Sequence, residues 1–224
     1  VQVIQSLEGG IIKQILVKEG QHVEKEKLLM VLDDTNYRAD LNELNIEIST
    51  LGLQLERLRD EVDNKPFTIS EHQGNVLKKD LIARQHQLYD SRQREYKSLA
   101  ERRNYAQKEL DMSTPLVEKG VVSDVEILHL RQKVAEVQHK LDNFKSEALK
   151  EYRETQVSLS KAKQRKIAVT EKIDQTKIRS PITGNVTQIY VTTLGGVITP
   201  GMNIMEIVPK NDSLIVEARV KPAD

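Results

Sequence analysis

Two short segments far apart in the chain repeat each other, and this repeat limits the possible folds more than any other feature. Gly10-Ile-Ile-Lys-Gln-Ile-Leu-Val17 lies over Gly184-Asn-Val-Thr-Gln-Ile-Tyr-Val191 at an offset of 174. With a two-residue insertion after that, Gly20 lies over Gly196 and Leu28-Leu-Met-Val31 over Ile204-Met-Glu-Ile207. In the first half, 1–34, the runs Val1–Ile4, Gly10–Val17 and Leu28–Leu32 read as strands. They are rich in β-branched residues and Leu and are punctuated by Gly9-Gly10 and Gly20. The second half, 177–210, has the same character. Neither half is long enough to bury a core alone, so the two are predicted to close as one two-fold-like β unit. The chain between them must then leave and return.

The intervening 35–176 reads as three helices. Tyr37, Leu41, Leu44, Ile48, Leu51, Leu55, Leu58 and Val62 alternate steps of four and three, which places one apolar seam on a helix over about 35–63. Pro66 disfavours helical geometry at Lys65 and breaks the pattern. Ser70 with Gln73 reads as the start of a second helix, over about 70–113. Its stripe is thin: Leu77, Leu81, Leu88, Tyr96, Leu99, Ala106 and Leu110. Thr114-Pro115 is expected to stop it and Gly120 to supply a turn. Ser123-Asp-Val-Glu126 reads as a capping box, in which the Ser123 hydroxyl accepts the Glu126 amide and the Glu126 side chain reaches back to Ser123. A third helix follows over 123–176, on Leu130, Val134, Val137, Leu141, Phe144, Ala148, Tyr152, Leu159, Ala162, Val169 and Ile173. About 50 helical residues span roughly 80 Å. The second and third helices form an antiparallel hairpin. The first two helices together outrun the third, so the first must overlap or bend near 64–70, in a direction the sequence leaves open. The last stretch, Ser213–Val220, alternates like a strand and reads as the start of a further β domain over 211–224. Both ends read as internal to a longer chain, with any membrane anchor outside it.

Composition narrows the function classes. Lys plus Arg equals Asp plus Glu at 34 each, which argues against a nucleic-acid surface. Aromatics are 4% and Trp is absent, as suits an elongated helical chain more than a large globular core. With no Cys there is no disulfide framework or thiolate metal site. No run of about 18 apolar residues is present. His22, His72, His86, His129 and His139 lack metal-ligand spacing and read as exposed helix residues. No nucleophile–base constellation or phosphate loop is found. The chain therefore reads as a non-enzyme with no cofactor and no metal. At the hairpin turn Leu116, Val117, Val121 and Val122 cluster beside Gly120 and Ser123. Apolar groups at such a turn point to a partner surface. The plainer reading is local packing plus capping.

Each β half resembles half of a biotinyl/lipoyl carrier domain. A lipoyl motif split by a long helical hairpin resembles the hemolysin D-type membrane fusion proteins, the periplasmic adaptors of type I secretion. The matching residues are Glu8-Gly9-Gly10, Val17-Lys-Glu-Gly20 with Val23, Ile178-Arg-Ser-Pro-Ile-Thr-Gly184 and the turn Pro115-Leu-Val-Glu-Lys-Gly-Val-Val-Ser123. The resemblance implies an α+β fold in which a three-helix coiled-coil hairpin is inserted into a split lipoyl-like domain, with the start of a β-barrel at the C-terminus. It also implies a periplasmic adaptor, anchored in the inner membrane, that links an inner-membrane ABC transporter to a TolC-like outer-membrane channel for passage of an unfolded polypeptide. The adaptor would act as a hexamer, with the tip residues Leu116, Val117, Gly120, Val121, Val122 and Ser123 docking the channel. Family tips carry an Arg-Leu-Ser pattern. Leu116 and Ser123 keep its spacing, Met112 stands at the Arg position, and Arg102 and Arg103 lie in other registers. Three alternatives differ in one feature each. A drug-efflux adaptor would need no helix break at Pro66. A lipoyl or biotin carrier would need a Lys on the tight hairpin between the halves, which the helices replace. A plain coiled-coil tether would lack the split repeat.

Overall fold

The computed structural model describes residues 1–68 and 76–209, so the proposed cap at Ser70 and Gln73 and the strand at Ser213–Val220 lie outside the described residues. The chain divides into two compact units. One comprises Val1–Glu43 and the chain from Arg165 onward; the other is Leu44–Gln164.

The first unit is built on the repeat. Strands β1 (Gln2–Gln5), β2 (Gly10–Ile15), β3 (His22–Val23) and β4 (Leu28–Leu32) come from the first half. Strands β5 (Lys177–Arg179), β6 (Gly184–Ile189), β7 (Val197–Ile198) and β8 (Asn203–Pro209) come from the second. They form two four-stranded sheets, ordered β1-β8-β6-β3 and β5-β4-β2-β7, with every pairing antiparallel. Each sheet mixes the halves: β3 pairs with β6, and β7 with β2. The hydrogen bonds repeat as well. The Gly20 amide donates to Val186 O as the Gly195 amide donates to Ile12 O, and the Glu26 amide donates to Ser180 O as the Gly201 amide donates to Ser6 O. These matches correct the two-residue insertion. The offset is 174 up to Val17 and Val191 and becomes 175 afterwards, so one residue is inserted and Gly20 corresponds to Gly195, not Gly196. The physical reason is burial: Leu29, Met30 and Leu32 are buried in the same rhythm as Ile204, Met205 and Ile207. The repeat also reaches further back than the sequence suggested. Ser6 and Ser180 are both buried, and each hydroxyl donates to the carbonyl two residues on, Glu8 and Ile182. The core is correspondingly paired: Ile4 with Ile178, Ile12 with Val186, Val23 with Ile198, and the two triplets just named.

The second unit holds most of three helices, α1 (Thr35–Val62), α2 (Val76–Val117) and α3 (Asp124–Gln175). Tyr96 with Phe144, Arg103 with Gln138 and Glu109 with Lys133 run in opposite order along α2 and α3, which makes that pair antiparallel. Arg57 with Gln85 and Glu61 with Arg92 advance together, so the end of α1 lies beside α2 and points the same way. This overlap resolves how 28 residues of α1 and 42 of α2 fit against 52 of α3. The chain leaves α1 through a Schellman motif. Asn64 takes a left-handed φ of 54°, its amide donates to Glu61 O and the Lys65 amide to Asp60 O. Phe67 then packs on His86 and Tyr89, with ring centroids 4.7 and 5.7 Å away.

Val62, expected on the α1 seam, is 41% exposed, and Leu53, not placed on it, is buried. Two further expectations fail here. First, Leu88 is 50% exposed, off the seam. The face of α2 turned inward at that level carries Gln85, Tyr89 and Arg92: Gln85 and Arg92 meet a charge cluster centred on buried Arg57 and Glu61, and the Tyr89 hydroxyl donates to Lys65 O. Arg57 donates through Nη1 to Glu61 (2.8 Å), through Nη2 to Glu151 (3.0 Å) and through Nε to Gln85 (2.8 Å). Arg92 donates to Glu151 at 3.1 Å, and its Nε stands 2.5 Å from Glu61 Oε1 as an ion pair without hydrogen-bond geometry. Second, α2 does not stop at Ser113; Pro115 lies inside its last turn. There its missing N–H costs one bond to the Asp111 carbonyl, while the Thr114 hydroxyl covers Leu110 O at 2.7 Å. The α3 seam begins a turn earlier than expected, at buried Ile127, and includes buried Thr155.

Gly184 has no room for a side chain, since a Cβ there would lie 2.3 Å from Val208 O. Gly184→Ala is expected to lower stability by about 2–3 kcal/mol. Gly52→Ala, in open space on α1, is expected to raise it by about 0.5–1 kcal/mol; chemical denaturation of both variants checks the contrast. Burial holds the Glu61 carboxyl above its ordinary value, with Arg92 and Arg57 pulling the other way. In the pH window just above that ordinary value the folded chain therefore binds a proton that the unfolded chain does not. Stability from this group is full below the window and is lost as pH rises through the folded value. Glu61→Gln is accordingly expected to raise the thermal midpoint at pH 7 and to flatten its pH dependence. Arg57→Ala, which removes the bonds to Glu61, Gln85 and Glu151 but leaves Arg92 beside both carboxylates, is expected to cost about 1–3 kcal/mol.

Candidate docking surface at the helical turn

The turn between α2 and α3 is closed by backbone capping. A second Schellman motif ends α2: the Gly120 amide donates to Val117 O at 2.9 Å and the Val121 amide to Leu116 O at 3.0 Å, with Gly120 at a φ of 68°. Two residues later α3 starts. The Glu126 amide reaches Ser123 Oγ at 3.2 Å, while the Glu126 and Ile127 amides also reach Ser123 O. The expected capping box is thus half formed. The Ser123 hydroxyl accepts as foreseen, but no return bond from the Glu126 side chain is made.

All six residues singled out from the sequence lie in this turn, in different settings. Leu116, Val117 and Val122 are half-buried, so part of their apolar surface packs locally. Gly120 and Ser123 shape the backbone. Only Val121 is fully turned out, at 71% exposure. The flanking helices add three apolar side chains that the sequence reading did not count: Met112 at 68%, Val125 at 64% and Leu128 at 56%. The missed signal was Ile127. Once Ile127 is placed on the α3 seam with Leu130 and Val134, Val125 and Leu128 fall off it. Arg103 is engaged with Gln138 across the α2–α3 pair, and Arg102 is exposed. The turn therefore presents apolar surface, with Met112 where a family tip has Arg.

The histidines were read as exposed helix residues, and the structure corrects two of them. His22 stands on β3, its Nδ1 2.9 Å from Asn185 Oδ1, and His86 is half-buried under Phe67 because that ring closes the end of α1. His129 and His139 are exposed, and His72 lies outside the described residues. Among the described residues no group of acidic residues and histidines is placed to hold a metal, and no helix is long and apolar enough to cross a membrane.

Comparison with known proteins gives a consistent picture. Residues 2–209 match the family model described as "RND MFP, barrel-sandwich hybrid domain". The type I secretion system membrane fusion protein PrsE of Rhizobium meliloti is 25% identical, over 100% of this chain and 64% of its own length. The alkaline protease secretion protein AprE of Pseudomonas aeruginosa is 26% identical, over 95% and 62%. The chromosomal hemolysin secretion protein D of Escherichia coli is 25% identical, over 99% and 58%. The chain thus spans about three fifths of the length of these relatives. Among solved structures, the soluble domain of LipC, a membrane fusion protein of a type I secretion system, superposes with a TM-score of 0.67 at 21% identity, covering 93% of this chain and 99% of that one. The periplasmic adaptor protein EmrA gives 0.53 at 16% identity, over 92% and 71%. These likenesses show the shared fold.

Ser123→Ala removes the hydroxyl that caps α3 and is expected to cost about 1 kcal/mol. Val121→Asp, on a side chain in solvent, is expected to leave helicity and thermal midpoint unchanged; circular dichroism melts of the two variants check this.

Proposed function

Because the chain belongs to the membrane fusion protein family, we propose that it is an adaptor of type I protein secretion that works by assembly rather than catalysis. On this reading it acts in the periplasm and joins an inner-membrane ABC transporter to a TolC-like outer-membrane channel. Copies stand side by side, six by analogy with the family, around the path of an unfolded polypeptide. The turn between α2 and α3 is the end that docks the channel.

The observation that carries the docking role is the exposure of Val121, Met112, Val125 and Leu128 around a turn that its own caps already close. Local stability does not need these side chains, and leaving several apolar groups in water at one place is unfavourable unless a partner covers them. The names of the relatives, all secretion proteins, support the system. Half-burial of Leu116, Val117 and Val122 means that they act partly through the shape of the turn, and Ser123 through its cap.

A photocrosslinking residue at Glu118, exposed beside the turn, tests the reading against the periplasmic end of a TolC-like channel. The unsubstituted surface is expected to crosslink. Val121→Asp and Val125→Asp are expected to abolish the crosslink while helicity stays the same. Leu116→Asp and Ser123→Arg are expected to abolish it with some loss of helicity, because they disturb the turn. Equal crosslinking by Val121→Asp and the parent would place the contact elsewhere.

A further inference from the structure

The end of α1 is held differently from the rest of the second unit. Over Leu53–Phe67 its buried contacts are Leu53, Leu58, Phe67 and the four-charge cluster of Arg57, Glu61, Arg92 and Glu151, joined by Gln54 and Gln85. Glu61 Oε1 and Arg92 Nε, both buried, face each other as an ion pair 2.5 Å apart, with no hydrogen bond to any other group. Buried ion pairs of this kind return little beyond the cost of removing both charges from water, and apolar replacements of similar size are often at least as stable. Beside the cluster a cleft of about 210 Å³ opens to the surface, lined by Glu61, Val62, Asn64, Tyr96, Phe144 and Leu149, with Val62 and Leu149 themselves exposed. Side chains at a gap lose dispersion contacts on that side. The segment ends on Asn64 in the left-handed region, a conformation with a cost for any residue but glycine. Weak net pairing, a packing gap and backbone strain thus fall on the same four turns.

We propose that Leu53–Phe67 is a strap that leaves the α2–α3 pair as one unit while the remainder of the second unit stays folded. The charge cluster makes the opening cooperative. Arg57 bonds to Glu61 on its own helix, Gln85 on α2 and Glu151 on α3, so one guanidinium ties the end of α1 to both neighbours. Opening uncovers more of Tyr96 and Phe144 and changes this stretch from three helices to two. It does not depend on what docks at the turn.

Amide hydrogen exchange of the whole chain, corrected for intrinsic rates, tests the strap. Amides of Leu53–Val62 are expected to exchange at least about tenfold faster than those of Leu99–Leu110 and Val134–Leu141, by a sub-global opening whose denaturant dependence is smaller than that of global unfolding. A variant carrying Arg57→Leu, Glu61→Leu, Arg92→Leu and Glu151→Leu is expected to slow exchange in Leu53–Val62 about tenfold and leave the two reference segments unchanged. Should that variant not fold, Arg57→Leu with Glu61→Leu, which leaves the Arg92–Glu151 pair in place, is expected to slow the same amides. Equal exchange in all three segments of the parent overturns the proposal. So does failure of the folded variant, or of the double variant in its place, to slow Leu53–Val62.

Discussion

Strand pairing between the two halves, β1 with β8, β3 with β6, β2 with β7 and β4 with β5, is the interaction on which the rest depends. Each half of the repeat offers one face of apolar side chains too small to exclude water alone, and only the exchange of short strands between halves closes the core. Residues 146 to 205 positions apart are therefore obliged to meet. A chain under that obligation must spend its intervening length on a structure that goes out and comes back. An antiparallel helical hairpin does so with every interior backbone group satisfied within its own helix.

The helices of the second unit show what such a hairpin gives up. Its seams are narrow, with Ala106, Ala148 and Ala162 at buried positions and polar residues such as Arg103, Gln138 and Thr155 in or beside the interface. Where α1 overlaps α2, the third helix is met by charge rather than by leucine. Arg57 and Glu61 sit one helical turn apart on the face that a purely apolar seam would have used. The cluster gives α1 a partner-specific end, because the guanidinium of Arg57 is satisfied only where Glu61, Gln85 and Glu151 converge. The burial that makes the contact specific also raises the cost of keeping Glu61 ionised.

The turn separates two jobs that the sequence presents together. Gly120 and Ser123 close the backbone, and the side chains of Val121, Val125, Leu128 and Met112 are left over. A surface built this way can vary its exposed residues without endangering the fold, since the caps act through main-chain groups and one hydroxyl. Met112, 68% exposed, adds to the apolar surface at this end of the hairpin.

By itself the sequence determined the architecture: the split repeat, the three helices, the break before Pro66 and the position of the turn. These features rest on local periodicity, on left-handed positions at Gly20 and Gly120, and on a repeat long enough to recognise. The tertiary structure decided what depends on neighbours distant in the chain. It set the repeat's insertion at one residue, because burial and strand register, not residue identity, align Leu29 with Ile204. It turned Leu88 outward and Arg92 inward, because the contents of a seam are fixed by the helices it faces. It carried α2 through Pro115, because a proline in a last turn forfeits only one bond. It made α1 and α2 run side by side, a choice that no pattern within either helix encodes.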